Sequence, residues 1–101
     1  MDNKLIVVGL LIVTLILGGC LTGSIKGQVI DDQDRPVEGA IVTTDPPTHS
    51  VRTTESGYQL EGIPWGEYVV RAKKPGHQTG REEILVRLWT TTHADIQIHR
   101  D

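Results

Sequence analysis

The chain has 101 residues, a formal net charge of −3, no Phe and one Cys. A mildly acidic chain without a basic cluster argues against nucleic acid as a partner, and a single cysteine excludes a disulfide within the monomer. The length allows one small domain and no more.

Met1-Asp2-Asn3-Lys4 carries one basic residue, and Leu5 to Leu17 then runs almost wholly apolar up to Gly18-Gly19-Cys20. The run has the length of a signal-peptide h-region and falls short of the ~20 residues that a spanning helix needs. The stretch beyond Cys20 is polar, without a stop-transfer cluster. Residues 1–19 are therefore expected to be a helical signal peptide that is cleaved. Leu17-Gly18-Gly19-Cys20 resembles the bacterial lipoprotein signal, in which small residues admit the chain to the peptidase groove and the cysteine thiol carries a diacylglycerol thioether. The resemblance implies that Cys20 is lipidated and becomes the first residue of the mature protein. Two or three acyl chains, at ~0.8 kcal/mol per buried CH₂, make such an attachment effectively permanent.

Removing residues 1–19 leaves 82 residues. A chain of that size buries only ~60–65% of its unfolded surface, so without disulfides it needs a regular sandwich or barrel. Leu21-Thr22-Gly23 reads as a tether after Cys20, and residues 24–101 as the domain. A first strand is expected over 24–30, with Ile25, Gly27 and Val29 on one face. Asp31 to Pro36 is a turn, because Asp side chains cap local backbone N–H groups and Pro fixes φ. Strands follow over 39–44, stopped by Asp45-Pro46-Pro47, and over 49–54. Two more, over 58–62 and 66–73, flank the corner Ile63-Pro64-Trp65-Gly66 and place Tyr58, Leu60, Tyr68, Val70 and Ala72 inward. Strands over 81–88, with Ile84, Val86 and Leu88 inward, and over 92–99, with Ala94, Ile96 and Ile98 inward, complete the pattern. Seven short strands without a helical period after residue 20 predict an all-β sandwich.

Gly27-x-Val29-x-Asp31, Pro36-Val37-x-Gly39-Ala40-x-Val42 and Thr54-x-x-Gly57-Tyr58-x-Leu60-x-x-Ile63-Pro64-x-Gly66-x-Tyr68-x-Val70-x-Ala72, followed by Gly76, resemble the carboxypeptidase regulatory-like domain family. The resemblance spans roughly Ile25 to Ile98 and implies a seven-stranded transthyretin-like (prealbumin-like, Greek-key) sandwich, grouped with starch-binding-like folds. His77 stands where that family has a Tyr after the glycine. The matching residues are turn glycines and core positions, so they speak for fold and not for activity.

No catalytic constellation is legible. His49, His77, His93 and His99 are scattered, and Ser24, Ser50 and Ser56 lie in no nucleophile context. Related transthyretin-like hydrolases end in Tyr-Arg-Gly-Ser, whereas this chain ends Ile98-His99-Arg100-Asp101. Similar adhesin modules often carry a Lys–Asn isopeptide crosslink; Asn occurs only at position 3, which removes the usual crosslink and leaves only a rarer Lys–Asp version. His93, Asp95, Gln97 and His99 share the outward face of the last strand, but Gln97 interrupts the row, and a solvated face accounts for them better than a metal. Asp31, Asp32 and Asp34 lack the glycine-centred loop and the bidentate Glu of a calcium site, and turn capping explains them. No cofactor is expected.

The reading is an exported, membrane-anchored lipoprotein, at the outer membrane if the host is diderm because Leu21 is not the retaining Asp, and otherwise at the cell membrane. Its sandwich is a non-catalytic binding or scaffolding module for an envelope protein or a glycan. The alternative is a carbohydrate-binding module that uses Trp65 and Trp89, since indoles stack on sugar faces; a small hydrolase is the least supported reading. If every connection reverses the chain, Trp65, Trp89, Pro46 and Pro47 share the end at which the first strand starts. There the two indoles contact membrane or ligand. Asp31, Asp32, Asp34, Glu55, Lys74 and His77 occupy the other end.

Overall fold

The computed structural model describes residues 21–101 and contains strands, turns and no helix among them. The expected signal peptide and Cys20 lie outside the described residues. Eleven strand segments are present: β1 (Thr22–Gly27), β2 (Val29–Ile30), β3 (Ile41–Asp45), β4 (Val51–Arg52), β5 (Tyr58–Pro64), β6 (Gly66–Lys73), β7 (His77–Gln78), β8 (Gly80–Val86), β9 (Thr91–His93), β10 (Ile96–Gln97) and β11 (His99–Arg100).

One layer is the four-stranded sheet β4-β3-β6-β8, antiparallel throughout. The other is built on β1, which pairs β5 antiparallel and β9 parallel. β2 and β10 continue that parallel ladder in one unshifted register, with Ser24 opposite Thr91 and Ile30 opposite Gln97. The first and last runs therefore point the same way, as an even number of chain reversals requires.

The count differs from the expected seven strands, for local reasons. At Gln28 the backbone N–H donates to the Asp95 carboxylate (2.9 Å) and not to a neighbouring carbonyl, which splits the first run and helps to split the last. The additional segment β7 forms because Gln78 and His77 pair with His99 and Arg100 of β11. The strand expected over 58–62 continues to Pro64. A register shift between Gly23 and Ile25 marks a bulge. It changes which face is buried along β5, so Tyr58 and Leu60 point inward at spacing two and Ile63 at spacing three.

The core between the layers comprises Ile25, Val29, Val37, Ala40, Val42, Tyr58, Leu60, Ile63, Tyr68, Val70, Ala72, Val86, Ala94, Ile96 and Ile98, all buried. Alternation in β6 puts Tyr68, Val70 and Ala72 inward as the period of two requires. Ile84 and Leu88, expected inward, are only half-buried. β8 is the edge strand of its sheet, so side chains on its core face are covered from one side only. With no Phe in the chain, both tyrosines act as core aromatics that spend their polar atoms on backbone carbonyls. The Tyr68 hydroxyl donates to Pro64 O (2.8 Å) and the Tyr58 hydroxyl to Ala94 O.

Candidate functional site

The large apolar side chains exposed among the described residues are Leu21 (40%), Trp65 (63%), Leu85 (46%) and Trp89 (77%). Backbone pairing brings them to one end. Thr22 pairs with Pro64, which puts Leu21 beside the β5–β6 corner that carries Trp65. Gly66 pairs with Val86 and Glu67 with Leu85, so the Trp65 corner abuts the end of β8. The Trp89 N–H donates to Thr22 O (2.9 Å), which ties the β8–β9 turn to the start of β1. Pro46 and Pro47 follow β3, whose last residue Asp45 pairs with Val69 near the start of β6, and so they belong to this end as well.

Trp89 also has a positive φ of 53°. That conformation is costly for a residue with a β-carbon, by roughly 1–2 kcal/mol. Beside it runs a polar groove lined by Thr22, Gly23, Ser24, Glu61, Trp89 and Thr91. In it the Ser24 and Thr91 hydroxyls are hydrogen-bonded (2.9 Å), and Glu61 accepts from the Gln59 amide (2.8 Å). The sequence reading missed Ser24, Glu61 and Thr91 as neighbours of Trp89. They come from three strands, and no local spacing marks them. Leu21 and Leu85 were equally missed; their signal was an aliphatic side chain at a position that alternation assigns to solvent.

The opposite end holds the acidic turn. Asp31 Oδ1 accepts from the backbone N–H groups of Gln33 (2.8 Å) and Arg35 (3.0 Å), the turn cap expected from sequence. The Arg35 N–H bond, assisted by Gln33 N–H and the Arg35 guanidinium, holds the Asp31 carboxyl below its ordinary range against a smaller opposing effect of desolvation. Asp32 contacts the His99 ring, and the His77 ring lies 3.1 Å from Pro75 O.

The row His93, Asp95, Gln97 and His99 is exposed along the last run. Asp95 is engaged with Gln28 N–H and His99 with Asp32. Among the described residues no three His, Cys, Asp or Glu side chains converge as a metal would need. Ser24 bonds Thr91, and the Ser56 N–H bonds the Thr54 hydroxyl, neither within a nucleophile–base pair. The buried hydroxyl of Thr53 donates to Val37 O (2.7 Å) and accepts from Ala40 N–H (3.0 Å). Among the described residues every buried side-chain nitrogen or oxygen has a hydrogen-bond partner. Tyr58 is the one buried ionisable group that is clearly shifted among them. Burial, then the Asp95 and Glu82 carboxylates, push its phenol well above the usual range, so it is a neutral donor and not a general base.

Three solved structures share the fold. The Bacillus anthracis TIE protein matches with a TM-score of 0.65 at 20% identity, over 78% of this chain and 16% of that one. GBS52, the minor pilin of Streptococcus agalactiae, matches with a TM-score of 0.64 at 16% identity, over 79% and 45%. A candidate carbohydrate-binding protein from Bacteroides uniformis matches with a TM-score of 0.55 at 18% identity, over 76% and 41%. The chain spans less than half the length of each of these proteins. No curated protein matches the sequence. The model of the carboxypeptidase regulatory-like domain matches residues 24–99, from β1 to β11 and across every strand of both layers. The chain belongs to the carboxypeptidase regulatory-like domain family.

Proposed function

We propose that the protein is a lipid-anchored component of the cell envelope whose sandwich serves as a non-catalytic binding or scaffolding module. The observation that carries this reading is the start of β1 at Thr22, closer to Cys20 than the sequence implied. Only Leu21 separates the acceptor cysteine from a strand that is hydrogen-bonded on both sides. Two extended residues span at most ~7 Å, so an anchor at Cys20 holds the domain against the lipid surface. The absence of a nucleophile–base pair among the described residues supports a non-catalytic role, as do a family defined by its fold and a pilin among the structural neighbours. Cys20→Ala should release the protein from membranes or leave an uncut precursor, read by fractionation and intact mass. A mature wild-type chain with an unmodified thiol defeats the reading.

A second reading, carbohydrate recognition, is favoured by the groove beside Trp89, where an indole stands among hydroxyls and a carboxylate. It is also the role named for the Bacteroides uniformis neighbour. Binding on a glycan array that Trp89→Ala abolishes would support it, and a blank array would reject it.

A further inference from the structure

We infer that the end of the sandwich formed by Leu21, Trp65, Leu85 and Trp89 docks in the headgroup layer of the membrane to which Cys20 anchors the chain. The inference rests on the anchor proposed above. A small soluble domain commonly leaves single apolar side chains exposed. A contiguous group of them marks an interaction surface. Here the four large apolar side chains that the described residues expose fall at one end, and none falls at the other.

The occupant follows from position. Leu21 is bonded to Cys20, whose Cα lies ~3.8 Å from its own. Thr22 is joined to both aromatic corners, by pairing to Pro64 before Trp65 and by accepting the Trp89 N–H. Whatever carries Cys20 therefore meets this end first. Composition agrees, because an indole with an apolar body and a polar N–H favours the headgroup region. Leu21 and Leu85 separate lipid from sugar. Aliphatic side chains gain by entering the acyl boundary and offer no face for stacking on a pyranose ring. Trp65 does not line the polar groove beside Trp89, so that groove alone offers a sugar a single indole. Glu61 and Glu67 flank Trp65 in sequence, and Arg87 is the basic residue between Leu85 and Trp89. This rim is not basic, so the contact is with neutral, zwitterionic lipid and depends on apolar insertion.

The test uses the full mature chain, reconstituted in phosphatidylcholine vesicles with bromines at defined acyl depths. Two single-indole variants, Trp65→Gln and Trp89→Gln, report each remaining ring separately. Both positions are largely exposed, so the variants should keep the wild-type melting temperature; if one does not, the wild-type chain together with the other variant still yields each ring's quenching by difference. Intact mass showing acylated Cys20 together with quenching of both rings, strongest for the shallowest bromines and unchanged by salt, is the expected result. An unmodified Cys20 overturns the anchor and the docking together. Acylated protein in which either ring escapes quenching overturns the docking alone. So does protection of the rings by self-association, or an emission shift produced by a glycan and not by lipid.

Discussion

Gly27 lies where β1 passes the last run so closely that a β-carbon would sit 2.0 Å from Ala94 O and 2.6 Å from Ala94 C. Real β-carbons essentially never approach closer than 3.0 Å, so Gly27→Ala must separate the two strands by about 1 Å. The ladder cannot stretch that far. Ala94 N–H to Lys26 O is 2.9 Å and Gln28 N–H to the Asp95 carboxylate is 2.9 Å, and both would pass the limit at which a hydrogen bond counts. These two bonds lost, at roughly 1–3 kcal/mol for each group left unpaired, amount to about 2–6 kcal/mol. The whole stability of a domain this size is about 4–12 kcal/mol. Gly39→Ala is the control. Its φ is +77° but no atom lies within 4 Å of an added β-carbon, so only the backbone conformation is strained, at roughly 1–2 kcal/mol. Urea unfolding followed by far-ultraviolet circular dichroism should show Gly27→Ala losing at least twice what Gly39→Ala loses. Equal losses, or a Gly27→Ala midpoint indistinguishable from wild type, would refute the close-approach argument.

Tyr68→Ala removes a core aromatic and its bond to Pro64 O, and should cost ~3–5 kcal/mol, a large share of the whole stability; a melting temperature within a few degrees of wild type contradicts it. Thr53→Val leaves Val37 O and Ala40 N–H without their shared partner and should cost about 2–4 kcal/mol by denaturant titration, whereas Thr54→Val, at an exposed position, should cost under about 1 kcal/mol. The Tyr58 phenol has a raised pKa when folded, so its contribution is complete below the unfolded value near 10 and is lost as pH rises beyond it. Tyr58→Phe should therefore be less stable than wild type at neutral pH and show a flatter decline above pH 10; parallel profiles would show that Tyr58 is not the alkaline-sensitive group.

The strands legible in the sequence are those where alternation is unbroken. Tyr68, Val70 and Ala72 predict β6 to the residue, because every second position is apolar and the flanking Gly66 and Lys73 close the run. β5 was underestimated because Gly62 looks like a stop. In the fold it sits beside a bulge that turns Ile63 inward, and the cause is a pairing with Gly23, far away in the chain. The split of the last run had the same origin. Asp95 reads as an outward strand residue, yet its carboxylate replaces a ladder carbonyl for Gln28. Thr53 gave no sign of burial, since a threonine in a short polar strand fits an exposed site equally well. The candidate site was legible in the two indoles and in the end to which the turns assign them. Leu21 and Leu85 became part of it only once Thr22 and Leu85 had their partners across the sheets.

The parallel pairing of the first and last runs has a mechanical consequence. Because both runs point the same way, residue 21 enters at one pole of the sandwich and residue 100 lies at the other, so force applied between them acts along the strands. Ser24 N–H to Thr90 O, Ala94 N–H to Lys26 O, Ile96 N–H to Gln28 O and Ile98 N–H to Ile30 O then carry the load together, in shear. A hairpin pulled apart from its open end breaks its bonds one at a time. This ladder has to give way all at once, and it joins the first run of the described residues to the last.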